Sequence, residues 1–187
     1  MNLLKTYFLY IKNPNEALRV ILQERSLKQA CAGYFAATLG WVLFFNIGDG
    51  LSVPVLIFKL AAVFAAELTA GYFIASLCGL FLDFSRIKVS PAELFCLVGS
   101  AGFIKGLLIA FALVSATVPD AKLGWFAPIA LAFVFALQLG YLTRALKRVC
   151  TIGTGKAIGA WLFGFLPICT VLFLSGIFFI WTVSLLF

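Results

Sequence analysis

Long apolar segments separated by short polar loops constrain this sequence more than any other feature. We expect five such segments, at residues 29–47, 56–82, 94–117, 125–146 and 157–187. An α-helix needs about 20 apolar residues to cross the hydrocarbon core of a bilayer, and each segment reaches about that length. Only 11% of the residues are charged, whereas soluble domains carry about 25%. The sequence therefore predicts an all-α polytopic membrane protein with five transmembrane helices.

The first 28 residues precede this predicted five-helix transmembrane domain, which covers residues 29–187. Asn13, Pro14 and Glu16 form a helix-start pattern: an N-cap, a proline at the first helical position and the acidic residue of a capping box. The helix that follows is amphipathic and partly basic, which is typical of a helix lying in the membrane interface. We expect residues 1–28 to be a cytoplasmic N-terminal amphipathic segment. A cytoplasmic extension of the first span is the alternative.

Basic residues lie mostly on one side of the predicted membrane path. The N-terminal segment and the second and fourth loops hold 11 of the 14 basic residues, and the opposite loops hold only Lys122. The positive-inside rule then places the N-terminus in the cytoplasm, and five spans place Phe187 outside. Trp161 and Trp181 are 20 residues apart and are predicted to mark the two membrane borders. Because the basic residues flank apolar segments, the net charge of +7 reports topology and not nucleic-acid binding.

Two ionisable residues lie deep inside consecutive predicted spans. Glu67 follows Val55 by 12 residues, and Lys105 follows Leu94 by 11, so each lies about 17 to 18 Å along its helix. Antiparallel spans bring both charges to the bilayer midplane, where a charge is costly unless it is paired. We therefore predict a direct pair. A static link between two helices and a place in an ion pathway, proton pathway or binding site are both open.

Two glycine patterns predict close packing between helices. Gly102 and Gly106 are four residues apart in the third span, and Gly155 and Gly159 have the same spacing at the start of the fifth. Small residues at this spacing let two membrane helices approach closely.

The residues needed for enzyme or metal chemistry are missing from the sequence. There is no histidine, so a Ser-His or Cys-His nucleophile cannot form. None of the five cysteines forms a C-x-x-C pair, and the acidic residues are scattered over different loops and depths. We therefore expect no catalytic residues, no metal site and no cofactor.

A family resemblance rests on features spread along most of the chain. Asn13-Pro14, followed by Ala17-Leu18, leads into five closely spaced spans, and the turn Asn46-Ile47-Gly48-Asp49-Gly50 and several Gly-Tyr pairs accompany them. In these features the chain resembles the short bacterial branch of the Ypt-interacting-protein (Yip) family, so we expect it in a bacterial inner membrane. The resemblance implies a non-enzymatic membrane protein with a scaffold, membrane-organising or trafficking-related role. The Asp-Leu-x-Gly-Pro motif of eukaryotic members is absent here, so their GTPase partners are not carried over.

The alternative function is a small oligomeric transporter or channel that uses Glu67 and Lys105 at the bilayer midplane. A polar cavity at the depth of these two residues would favour transport, and a dry bundle would favour a scaffold. The expected partner is the lipid bilayer. Other membrane proteins and further copies of the chain are open as additional partners, and nucleic acid is not expected.

Overall fold

The computed structural model describes residues 27–47, 52–117 and 125–186, together with the isolated positions Leu9, Lys12 and Glu16. Every regular element in this part of the chain is an α-helix: α1 (Leu27–Asn46), α2 (Val53–Phe84), α3 (Pro91–Lys105), α4 (Leu107–Thr117), α5 (Phe126–Cys150) and α6 (Thr154–Leu186). The predicted all-α class is confirmed for these residues. The predicted amphipathic helix near residues 13–24 lies outside them, apart from the single position Glu16.

Four helices in the described part of the chain are long and apolar enough to cross a membrane. They are Val53–Phe84, Pro91–Thr117, Phe126–Cys150 and Thr154–Val171. Their length and composition are compatible with a multi-pass membrane protein. The helix α1, with 20 residues, is not among the four.

Serine, proline and left-handed residues define several helix ends. Ser52 and Ser90 have extended backbones immediately before α2 and α3, and each is followed by a proline in the first helical turn. Proline suits this turn because its missing N–H has no partner there in any case. Arg86, just after α2, has a φ of 60°, and Thr151, just after α5, has a φ of 51°. These two positive φ angles turn the chain out of its helix.

The third predicted span, residues 94–117, has a local break in its α-helical hydrogen bonds at Gly106, whose φ of −58° and ψ of −21° nevertheless stay helical. The structure divides it at Gly106, directly after Lys105, into α3 and α4. The Gly106 N–H donates to the Phe103 carbonyl at 3.0 Å, and the Ile109 N–H donates to the Gly106 carbonyl at 3.1 Å. These bonds reach back three residues instead of four and so tighten the turn. A Cβ at Gly106 would lie 2.9 Å from the Phe103 oxygen, so the tight turn favours glycine.

Helix α1 packs along α3 through backbone contacts that only glycine permits. A Cβ on Gly33 would lie 2.0 Å from the Gly99 carbonyl oxygen, and a Cβ on Gly40 would lie 2.3 Å from the Lys105 carbonyl oxygen. Residue numbers rise together along this contact, so α1 and α3 run in the same direction. Helix α2 runs in the opposite direction, because Gly71 meets the Tyr34 ring and Lys59 bonds Asn46.

The hydrophobic core lies where α1, α2, α3, α5 and α6 meet. Trp161 on α6 is fully buried in it, together with Leu94, Leu142 and Leu146. The Trp161 ring packs inside protein, 6.3 Å between centroids from the Phe165 ring, so it is not exposed as an interface anchor, and its position at a membrane border stays a prediction. The side chain of Trp181 lies outside the described residues.

Candidate functional site

The structure brings Glu67 of α2 and Lys105 of α3 into direct contact. The Lys105 ammonium nitrogen lies 2.7 Å from Glu67 Oε1 and 2.8 Å from Oε2. The two side chains are 14% and 13% exposed, respectively. Glu67 lies near the middle of the span Val53–Phe84, and Lys105 lies near the middle of the span Pro91–Thr117. The two predicted residues therefore share one depth as well as one contact.

Trp41 of α1 completes the coordination of the carboxylate. Its indole N–H donates to Glu67 Oε1 at 2.7 Å, and the Lys105 ammonium lies 5.8 Å from the centre of its ring. Gly40, the residue before Trp41, lets α1 reach the backbone of Lys105. The carboxylate thus accepts three hydrogen bonds, and the pair is neutral as a unit. Sequence reasoning missed Trp41, although a tryptophan inside a predicted span was a usable signal.

A large cavity lies beside this pair. Its volume is about 1060 Å³, slightly above the roughly 300 to 1,000 Å³ of ligand pockets. Helices α1, α2, α3, α5 and α6 contribute to its wall, which is mainly apolar. Along α2 the wall extends from Lys59 to Leu77, a distance of about 27 Å on a helix. The polar or charged side chains in the wall include Asn46, Lys59, Glu67, Thr69, Lys105 and Gln138.

Most of these polar groups have a hydrogen-bond partner within the protein. The Lys59 ammonium donates to the Asn46 side-chain oxygen, and the Thr69 hydroxyl donates to the Ala65 carbonyl of its own helix at 2.8 Å. Gln138 is different: it is only 3% exposed, and its Oε1 has no partner among the described residues. A buried amide oxygen without a partner costs about 1 to 3 kcal/mol. Gln138 is therefore the unsatisfied polar group of the cavity wall.

Gln138 belongs to the same region of the cavity as the charged pair. It lies three residues after Phe135 on α5, hence on the same helix face. The Phe135 ring is 6.2 Å from the Trp41 ring, and Trp41 bonds Glu67. This chain of contacts links α5 to the pair.

The predicted packing glycines behave unequally. A Cβ on Gly102 would lie 2.5 Å from the Gly33 carbonyl oxygen, and one on Gly159 would lie 3.3 Å from the Phe81 ring, so both make close contacts. Gly106 instead lies in the tight turn between α3 and α4. A Cβ on Gly155 would meet no atom within 4 Å, because Gly155 lies exposed in the first turn of α6. The close packing predicted at Gly155 is therefore not found in the described part of the chain.

The described residues bring together no group of three His, Cys, Asp or Glu side chains that could hold a metal ion. In comparisons with known proteins, no family model, no curated protein and no solved structure matches the chain. Functional inference therefore rests on the residues and contacts of this chain.

Proposed function

We propose that the chain crosses the membrane five times, with α1 as an additional span beside the four long apolar helices. Its 20 residues extend about 30 Å, which matches the hydrocarbon thickness. Its contacts with α3 begin near Ala30 and Gly99 and continue to Gly40 and Lys105. A helix packed along another from its first turn to the middle of the span shares that neighbour's environment. These observations support α1 as a transmembrane helix.

We propose that the N-terminus lies in the cytoplasm of a bacterial inner membrane and that Phe187 lies outside, because the basic residues favour the N-terminal side. Reporter fusions at Met1 and Phe187 test this arrangement. The expected result is a cytoplasmic signal at Met1 and an external signal at Phe187. Two signals on the same side would contradict an odd number of spans.

We propose a non-enzymatic role in organising the membrane, as the Yip resemblance implies. The observation that carries this proposal is the self-neutralising contact between Glu67 and Lys105. Both Glu67 oxygens are bonded to the Lys105 ammonium, and Trp41 adds a third bond. The three bonded side chains link α1, α2 and α3. The pair has no net charge that would attract an ion. This favours a structural unit over an ion pathway.

Complementation of a deletion strain separates the two roles of the pair. The double variant Glu67→Gln, Lys105→Met removes both charges and leaves neither one unpaired. If the pair is structural, this variant should reach normal levels in the membrane and reverse the phenotype of the deletion strain. A double variant that is present and folded yet fails to complement would refute the structural reading. Lys156→Met, which removes an exposed lysine outside the cavity wall, is the matched control.

A second candidate is a small transporter or channel, and one observation favours it. The cavity extends past the charged pair, from Lys59 to Leu77 along α2. Ion or solute flux through proteoliposomes tests this candidate. Flux that disappears in the double variant, with the protein still folded, would favour transport over the scaffold.

A further inference from the structure

We propose that the cavity binds one anionic phospholipid, with its headgroup at Lys59 and an acyl chain lying along α2 towards Glu67 and Lys105. The proposal rests on the proposed membrane embedding of the bundle, because the lipid enters from the bilayer. It adds a ligand of defined charge and a headgroup-binding residue to the membrane-organising role.

Lys59 carries the unbalanced charge of the cavity wall. Three charged side chains line the cavity: Lys59, Glu67 and Lys105. Glu67 and Lys105 neutralise each other, so one positive charge is left at Lys59. Its ammonium donates to the neutral Asn46 side chain, and within the described part of the chain no carboxylate contacts it. A half-buried ammonium without a counter-ion favours binding of an anion.

The polar side chains at this end of the cavity have donors to spare and no spare acceptor. An ammonium has three N–H donors, and Lys59 gives one of them to Asn46 Oδ1. The Asn46 amide has two N–H donors and gives one to the Val42 carbonyl at 2.8 Å. Both residues line the cavity and are only half-buried. This arrangement suits a phosphate group, whose charged oxygens accept hydrogen bonds and which lysine commonly binds.

The depth of Lys59 in the membrane suits a lipid headgroup. Lys59 precedes Glu67 by eight residues, which is about 12 Å along α2. Glu67 lies near the middle of its span, and half of the hydrocarbon core is about 15 Å thick. The Lys59 ammonium therefore lies close to the boundary between acyl chains and headgroups, where a phosphate can reach it without entering the membrane centre.

The shape of the cavity selects a lipid over a small soluble anion. Its wall is mainly apolar and follows α2 over about 27 Å from Lys59 to Leu77, which suits an acyl chain. Phe45, next to Asn46, lines the cavity at the Lys59 end, and Phe73 and Val171 line it further along; all three side chains are more than half exposed. Within the described residues, the cavity is therefore open to the side along its length, and a lipid can enter it directly from the bilayer.

Photo-crosslinking of the full-length protein in phosphatidylcholine vesicles tests the proposal. One sample contains phosphatidylglycerol with a diazirine on one acyl chain. The other contains phosphatidylcholine with the same diazirine chain, which has the same phosphate and apolar body but no net charge. We expect phosphatidylglycerol to label α2 or α6 at the cavity about tenfold more strongly, as one charge-assisted hydrogen bond predicts. Unlabelled phosphatidylglycerol should compete, and inorganic phosphate should not.

Lys59→Met provides the decisive variant because it removes the charge and leaves an apolar side chain. It should lower phosphatidylglycerol labelling about tenfold, to the level of phosphatidylcholine, whereas Lys59→Arg keeps the charge and should keep the preference. Lys156→Met is the matched control. Lys156 is exposed near the start of α6 and lies outside the cavity wall, so its loss removes one positive charge from the protein but should not change labelling.

Several results would overturn the lipid site. Equal labelling by the two lipids would show that charge does not select the ligand, and undiminished labelling of Lys59→Met would show that the headgroup is not at Lys59. An equal loss in Lys156→Met would show general attraction to a basic protein. Competition by inorganic phosphate would show a site for soluble anions.

Carbonate extraction of native membranes separates this site from the membrane embedding on which it rests. Protein that stays in the membrane but is not labelled at the cavity would refute the lipid site alone. Protein that carbonate extracts would refute the embedding and the lipid site together.

Discussion

Replacing Lys105 with methionine should destabilise the protein by about 3 kcal/mol, because Glu67 is then left as a buried charge without its counter-ion. At 2.7 Å the Coulomb attraction of the pair is about 6 kcal/mol for an effective dielectric constant of about 20. Desolvation of the two ions offsets much of this attraction. Removing one partner of a buried pair therefore costs about 3 to 5 kcal/mol. The lower end applies here because both side chains retain some exposure, at 13% and 14%.

The double variant Glu67→Gln, Lys105→Met should be far more stable than the two single variants suggest. It leaves no unpaired charge, and the glutamine can still accept the hydrogen bond from the Trp41 indole. We expect a loss of about 1 kcal/mol relative to the parent protein, the scale of one net hydrogen bond. The measurement is the free energy of unfolding of all four proteins by SDS titration in mixed micelles.

The matched control for this cycle is Lys59→Met. Lys59 lines the same cavity, but it donates to the neutral Asn46 side chain and not to a carboxylate. Its replacement should cost about 1.5 kcal/mol, the lower end for a hydrogen bond that involves a charged group, because Lys59 is only half-buried. If the double variant instead lost the sum of the two single losses, the residues would act independently. The structural pair would then have to be abandoned.

Two further stability predictions use the same unfolding assay. Gly102→Ala should lower the free energy of unfolding by about 1 to 3 kcal/mol through overpacking, because its Cβ would lie 2.5 Å from the Gly33 carbonyl oxygen. Gly155→Ala is the matched control. Its Cβ meets no atom within 4 Å, so the free energy of unfolding should not change. Equal losses would mean that α1 and α3 are not in close contact. Thr151→Gly should gain about 1 kcal/mol, since a β-branched residue at a φ of 51° is strained; a loss would show that the threonine side chain stabilises the helix end.

The helices were predictable because their signal is local. Each predicted apolar segment overlaps one helix of the structure, or two for residues 94–117, with outer ends displaced by only a few residues. The break after Lys105 was not predictable in the same way. A lone glycine in an apolar helix lowers its stability by only about 1 kcal/mol, so the pattern does not distinguish a break from a continuous helix. The break is visible only once the hydrogen bonds of Gly106 are known.

The charged pair could be predicted from the sequence, whereas the cavity could not. Counting residues along two antiparallel helices was enough to give Glu67 and Lys105 a common depth, because helix rise is constant. No such count reveals Trp41 as a partner, since that depends on how α1 is rotated against α2 and α3. The small residues Gly33 and Gly40 on α1 held part of this information, because they mark the face that meets α3. The cavity is the space left between five helices, and no single segment encodes it.

The polar groups beside the cavity differ in whether their hydrogen bonds are satisfied. Glu67, Lys105 and Trp41 bond one another, so the loss of either charge should lower the stability of the protein. The Gln138 Oε1 is buried and has no partner among the described residues, so Gln138→Leu should raise the stability. The opposite signs of these two stability changes separate the charged pair from Gln138 within a single assay.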